Sequence, residues 1–339
     1  MSARKISRRA FLRLFLLSGI GGGLAVFHKL TRPLNPLSFL RWKTRGLWMQ
    51  SLAKPAVVAL GYCPSYQADV PGILKSVWDL AEIPSARGKR IVVKPNLVDS
   101  IDQTQATTAP EVVAAVVDLL LLQGASSVIV GDGPAFRRDA RAVAYQIGLL
   151  PVLKKRDVPF IDLNYDDPQP VLVKDGWFPG LKHIWLPRSV IQADMILSLP
   201  KMKTHHWAQV SLSLKNLLGL FPGARYGWPK NFIHFAGIPQ AILGLYQVLP
   251  PVVSLVDGIV GMEGDGPLFG NSVAHGVLVA GKDPVAVDMV GKDLMGFDTW
   301  SVDYLNLASW AGIGQANRIE IRGESLQQLR RIYQKPPKI

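Results

Sequence analysis

Three lysines and two histidines crowd one stretch near the middle of the chain. It opens at Ala193-Asp194, runs through the apolar residues Met195 to Leu199 and breaks at Pro200. Lys201, Lys203, His205, His206 and Lys215 follow before the segment closes at Pro222-Gly223. Lysine ammonium groups bind carboxylates and phosphates. Imidazole carries protons near neutral pH and also binds metals. An apolar strand that ends in a cationic, histidine-bearing loop is a common way for an open α/β sheet to build a ligand site.

Other short apolar runs end in the same manner. Ile91 to Val93 leads into Lys94-Pro95-Asn96, and Val128 to Val130 into Gly131-Asp132-Gly133. Val252 to Val256 leads into a glycine- and acid-rich run from Asp257 to Gly266, and Val277 to Ala280 into Gly281-Lys282-Asp283. In a parallel sheet these ends share one edge, so five strand ends are expected around one site. Its catalytic candidates are His205, Lys215 and Lys203. Its anion-binding candidates are Lys94, Asn96, Lys201 and Asn216. A metal would draw on His205, His206, His234, Asp257 and Glu263, although the spacing of the histidines matches no compact metal motif.

The elements that must carry these residues follow from hydrophobic pattern. Strands are expected at 56–62, 90–93, 127–130, 160–163, 195–199, 252–256, 276–280 and 319–321. Helices are expected at 73–80, 108–123, 137–149, 208–220, 236–248, 284–295, 301–310 and 326–333, with a β or loop excursion at 171–186. Short apolar strands alternating with helices predict an α/β fold. Its sheet is mainly parallel with helices on both faces, in one domain or two lobes with a cleft at the strand carboxyl ends.

Composition narrows the function. The chain has 339 residues, 48% of them hydrophobic and 19% charged, which indicates a sizeable core. The net charge of +13 is uneven: residues 1–54 hold 11 Lys/Arg and no acid, leaving 27 basic against 25 acidic residues beyond them. A nearly neutral body does not make a nucleic-acid surface. The single cysteine, Cys63, allows no intramolecular disulfide, and this chain alone holds no iron–sulfur cluster. There is no Walker A motif and no nucleophile elbow, and Pro134 spoils a dinucleotide fingerprint after Gly131.

The basic N-terminus reads as an address. Ser7-Arg8-Arg9-Ala10-Phe11-Leu12-Arg13 precedes an apolar run, Leu14 to Phe27. That is the pattern of a twin-arginine export signal, with the twin-arginine translocase as partner. The run falls short of the roughly 20 residues that a membrane span needs. No clean small-x-small cleavage site follows, so residues 1–30 are read as a signal or a retained anchor. Residues 31–54 form a basic aromatic linker with Trp42 and Trp48, suited to a membrane surface or to packing on the domain. Residues 55–339 are the α/β domain, expected in the periplasm or on the outer face of the cytoplasmic membrane.

Five motifs in order, VVKPNLV (92–98), SLPKMKTH (198–205), SLKNLLGLFPG (213–223), GMEGDGP (261–267) and AGKDPVAVDMVGKDLMGFD (280–298), resemble the uncharacterised family known as domain of unknown function 362. Many of its members carry a ferredoxin-like cluster module. This chain lacks those cysteines, so the resemblance implies a separate redox partner for any redox role. More distantly, Ala193-Asp194, His205, Lys215 and Pro222-Gly223 resemble in order the nickel-pincer lactate racemases. That likeness implies a histidine acid/base, a lysine that anchors a nucleotide-derived cofactor covalently, and a metal-binding histidine downstream, for which His234 is the candidate. The racemases have a glycine-rich run before the lysine where this chain has Ser211 to Leu214.

Together these features predict an exported enzyme acting on a small anionic substrate with a metal ion or a lysine-linked cofactor, racemase-like or redox-linked. The alternative is a non-catalytic periplasmic accessory or ligand-binding protein working with an iron–sulfur redox partner.

Overall fold

The computed structural model describes residues 52–98, 106–135, 138–173, 176–230, 232, 236–298 and 300–337, with isolated positions 40, 44, 46 and 48. The export signal expected at residues 1–30 lies outside the described residues, as does most of the linker. No helix among the described residues is long and apolar enough to cross a membrane.

Twelve strands are described: β1 (Ala56–Tyr62), β2 (Arg90–Pro95), β3 (Ser127–Asp132), β4 (Phe160–Asp162), β5 (Pro168–Leu172), β6 (His183–Pro187), β7 (Met195–Leu199), β8 (Lys201–His205), β9 (Gln209–Ser211), β10 (Val252–Glu263), β11 (Asn271–Gly281) and β12 (Ile319–Gly323). The helices of six or more residues are α1 (Val70–Leu80), α2 (Pro110–Leu122), α3 (Ala140–Gln146), α4 (Leu149–Lys154), α5 (Ile238–Tyr246), α6 (Pro284–Leu294) and α7 (Asp303–Ala311). The main sheet runs β12-β1-β11-β10-β7-β2-β3-β4, and β8 and β9 extend from β10. Strands β5 and β6 form a separate antiparallel pair, the expected excursion.

The sheet is mostly parallel, as the pattern predicts. Its central strands are apolar throughout because both faces are covered. One core cluster holds Leu74 and Trp78 of α1 and Val113 and Val116 of α2. The other holds Ile242 of α5, Val285 and Val287 of α6 and Tyr304 of α7.

Strand β11 corrects the expectation of five ends on one edge. It is antiparallel to both β1 and β10, and Gly281 pairs with Ser254 near the start of β10. Its carboxyl end therefore lies at the opposite edge of the sheet. There Lys282 pairs with Glu82, and Asp283 caps α6 by accepting from the Val285 N–H. Four boundaries also differ. The helix expected at 137–149 is interrupted by Gly148, whose φ of 80° ends α3 and begins α4. The helix expected at 208–220 opens as strand β9 and becomes helical only at Ser213–Asn216. Strand β10 continues through Asp257 to Glu263, where a loop was expected. The expected terminal helix is a single turn, Leu326–Leu329.

The described part of the linker touches the domain. A Cβ on Gly46 would lie 2.4 Å from the Trp310 carbonyl oxygen, so only glycine allows this approach. Nearby, Arg318 donates to the Ala53 carbonyl.

Candidate functional site

Strand alternation explains how lysines come to be buried. Val92 and Lys94 share one face of β2, opposite Ile91 and Val93. The Lys94 side chain is 1% exposed and pairs with Asp132 at 2.5 Å. It also donates to Asn216 Oδ1 at 2.9 Å and to the Pro95 carbonyl. Asp132 sits at the end of the neighbouring β3 and accepts from the N–H groups of Leu97 and Gly133. Burial still pushes the Lys94 ammonium below its ordinary range, with the Asp132 charge opposing.

Lys201, Lys203 and His205 occupy alternate positions of β8, while Met202 sits between them in the core. The segment was expected as a loop. It is a strand because β8 pairs with the far half of β10 and with β9. Lys203 is fully buried and donates to the Ala106 carbonyl at 2.7 Å. Burial, and then Lys215, hold it well below its ordinary range. His205 accepts the Trp207 N–H at Nδ1, 3.1 Å away. Burial and then the Lys215 charge depress it strongly, so it is neutral. With Nδ1 accepting, the neutral ring carries its proton on Nε2.

The Ser213–Asn216 turn presents Lys215. Its start is held from across the chain by Asp288, which accepts from the N–H groups of Ser213 at 2.7 Å and Leu214 at 3.0 Å. Ser198 and Asn216 fix it to β7 and β2. Asn216 Nδ2 donates to the Lys94 carbonyl and to Ser198 Oγ. Lys215 is partly buried, and its Nζ makes no hydrogen bond or ion pair among the described residues. Burial, and then Lys94, lower its pKa to about 8.

A fourth lysine completes the cluster. Lys230 has φ of 67° and is 1% exposed. Its Nζ donates to the carbonyls of Gly133 at 2.7 Å and Gly219 at 3.2 Å. Burial lowers it to about 7; Asp132 opposes the shift and Lys94 adds to it. Gly219 has no room for a side chain, since a Cβ there would lie 2.5 Å from Asp132 Oδ1 and 2.7 Å from Lys94 Nζ.

These groups line one cleft with about 860 Å³ of empty space including its open mouth. Four lysines (94, 203, 215 and 230) face one carboxylate, Asp132. Asn96 is also in the wall, and its Oδ1 is buried without a partner among the described residues.

Of the residues singled out from sequence, Lys94, Asn96, Lys203, His205, Lys215 and Asn216 meet in the cleft. Lys201 is not part of its lining. It pairs with the fully buried Asp257 at 2.7 Å and donates to Tyr66, whose hydroxyl also reaches Asp257. His206 bonds the Gly266 carbonyl, and Glu263 accepts the Gln334 N–H. His234 lies outside the described residues. Among the described residues no three of His, Cys, Asp and Glu gather as a metal-binding group. The cleft offers, in Lys215, an amine with no partner among the described residues as a covalent anchor, and cations for an anionic group. His205 does not present a lone pair at Nε2 as a metal ligand would.

Asp132, Lys230, Tyr66 and Asp288 were not singled out as site residues. Asp132 carried a signal, as an acid between two glycines at a strand end. Lys230 carried none, because its position depends on a loop folding back over Gly133 and Gly219.

All the cleft residues fall within residues 91–293, the region matched by the family model described as Domain of unknown function (DUF362). The chain belongs to the DUF362 family. A curated relative is the thylakoid-associated protein sll1697 of Synechocystis sp., 32% identical over 221 residues. The match spans 62% of this chain and 64% of that protein. Two similar solved structures are a structural-genomics protein from Thermotoga maritima and the lactate racemase apoprotein from Thermoanaerobacterium thermosaccharolyticum. The first has a TM-score of 0.38 and 16% identity, covering 60% of this chain and 52% of its own. The second has a TM-score of 0.38 and 12% identity, covering 59% and 50%. The chain therefore spans about half of each solved relative.

Proposed function

We propose that this DUF362 protein is an enzyme that binds a small carboxylate or similar anion in the lysine cleft and moves a proton on it. The observation that carries this reading is four lysines and one carboxylate in the lining of one cleft, with one amine that has no partner among the described residues. Gathering like charges out of water is unfavourable unless an anion joins them. Lys94, Lys203, Lys230 and the protonated fraction of Lys215 supply the attraction. The neutral fraction of Lys215 is the proton acceptor and returns the proton, while Nε2–H of His205 donates a hydrogen bond to the charge that develops on the substrate oxygen. A covalently held cofactor would attach at the Lys215 amine, the group free to take it.

Binding is tested by calorimetry and thermal melting with oxalate and phosphate against chloride at matched ionic strength. The expected result is saturable stabilisation by oxalate, weakened at least about tenfold, or ~1.4 kcal/mol, in Lys230→Met. No response to any of these anions refutes the reading. Catalysis is tested by solvent-deuterium exchange into the carbon beside the carboxylate of small acids, followed by NMR. Binding without exchange in any acid tried returns the ligand-binding alternative.

The same proposal places the protein outside the cytoplasmic membrane, supported by the twin-arginine pattern at Ser7 to Arg13. The thylakoid association named for its relative is in keeping with a membrane surface contacted through residues 1–54. Arg8→Lys with Arg9→Lys should hold the precursor in the cytoplasm in a fractionation assay; unchanged export would exclude this route.

A further inference from the structure

We infer that Lys215 is a carbonyl-trapping amine and that the cleft takes a short 2-oxo acid, which it holds as an imine. The inference deepens the anion reading above and rests on it. Each of the other lysines in the cleft is tied down by acceptors. Lys94 has Asp132 and Asn216, Lys203 has the Ala106 carbonyl, and Lys230 has two glycine carbonyls. A cation serving only as an electrostatic clamp has no reason to be built differently from these. Lys215 has no acceptor among the described residues. An amine attacks through its lone pair, and that lone pair exists only when the nitrogen is neutral. Desolvation and the Lys94 charge keep a useful fraction of Lys215 neutral at physiological pH.

The surroundings select the electrophile. The N–H groups of Lys94, Lys203 and Lys230 in the same cleft place a carboxylate, whose arrival favours their charged forms, beside the reacting carbon, which describes a 2-oxo acid. Leu218 and Ile238 in the wall suit a short apolar tail. His205 Nε2–H is a hydrogen-bond donor for the oxygen that must leave.

The step balances without an oxidant. The Lys215 Nζ lone pair adds to the carbonyl carbon and the C=O π bond opens onto the oxygen, which accepts a hydrogen bond from His205 Nε2–H. One proton passes from the attacking nitrogen to that oxygen, leaving a neutral carbinolamine. The C–O bond then breaks, the hydroxyl leaves with the remaining nitrogen proton as water, and the nitrogen lone pair completes the C=N bond. One amine and one ketone yield one imine and one water.

The test is reductive trapping of the purified full-length chain with pyruvate and sodium cyanoborohydride near pH 7.5, read by intact mass and peptide mapping. The expected result is one carboxyethyl group per chain on Lys215, at least about tenfold above any other lysine and suppressed by oxalate. Folded Lys215→Arg, checked by its melting curve, should lose that label. An unlabelled Lys215 in protein that oxalate still stabilises overturns this inference alone. Labelling centred on Lys230 or on surface lysines overturns it as well. So does a chain that already carries added mass on Lys215 as purified, because its amine is then committed to a resident group. Absence of both the label and the oxalate response defeats the anion reading together with this one.

Discussion

Anion affinity should fall steeply as pH rises from 6 to 9, and the size of the fall follows from two lysines. Lys215 is depressed to about 8 and Lys230 to about 7, each chiefly by burial. At pH 6 both carry most of their charge. At pH 9 roughly a tenth of Lys215 and about a hundredth of Lys230 remain protonated. If oxalate needs both ammonium groups, its affinity drops by about 10³, or ~4 kcal/mol. Binding must then take up protons, close to one near pH 7.5 and approaching two above pH 8. Calorimetry in two buffers of different ionisation enthalpy measures that uptake directly, and oxalate itself stays doubly ionised throughout. The free protein should respond in the opposite sense. A lysine whose folded pKa lies below its unfolded value makes stability rise with pH, from its folded pKa toward its unfolded one. Oxalate affinity that stays within about threefold from pH 6 to 9, with no proton uptake, would refute the assignment of these lysines to the site.

Three further substitutions separate the site from its scaffold. Asp132→Asn leaves Lys94 buried without its carboxylate and should cost about 3–5 kcal/mol in urea unfolding at pH 6. Lys201→Met leaves Asp257 buried without its cation, so a loss of about 3–5 kcal/mol is expected. Oxalate affinity should nevertheless be unchanged, because Lys201 does not line the cleft; a large affinity loss in the folded variant would return Lys201 to the site. Asp288→Asn addresses the support of Lys215. Burial raises the Asp288 carboxyl to about 7, so its ionisation makes the wild type lose stability as pH rises from about 4 to about 7. The variant should show a flatter profile over that window in melting experiments, and an identical slope would show that Asp288 does not titrate there.

Much of the scaffold was legible because buried parallel strands announce themselves. IVV at 91–93, VIV at 128–130 and MILSL at 195–199 are apolar on both faces and end in polar turns, so strand identity and the shared edge followed directly. The reversal of β11 was not legible. An antiparallel strand buried on both faces has the same apolar run as a parallel one, and only its pairing with β1 and β10 shows its direction. The β8 hairpin was hidden for a different reason. Lys-Met-Lys-Thr-His reads as a polar loop by composition, although its period-two alternation is that of a strand.

The sequence by itself determined which kinds of group would be concentrated here, and it placed His205, Lys203, Lys94 and Lys215 among them. It could not divide those lysines by role, since Lys201 and Lys203 are two residues apart and chemically identical. Tertiary structure made the division by bringing Asp257 and Tyr66 to Lys201, Asp132 to Lys94 and, among the described residues, no acceptor to Lys215. The physical reason is that an ammonium's state depends on what replaces its lost water. For Lys201 and Lys94 those replacements include side chains 56, 122 and 135 positions away along the chain, distances over which local pattern carries no information.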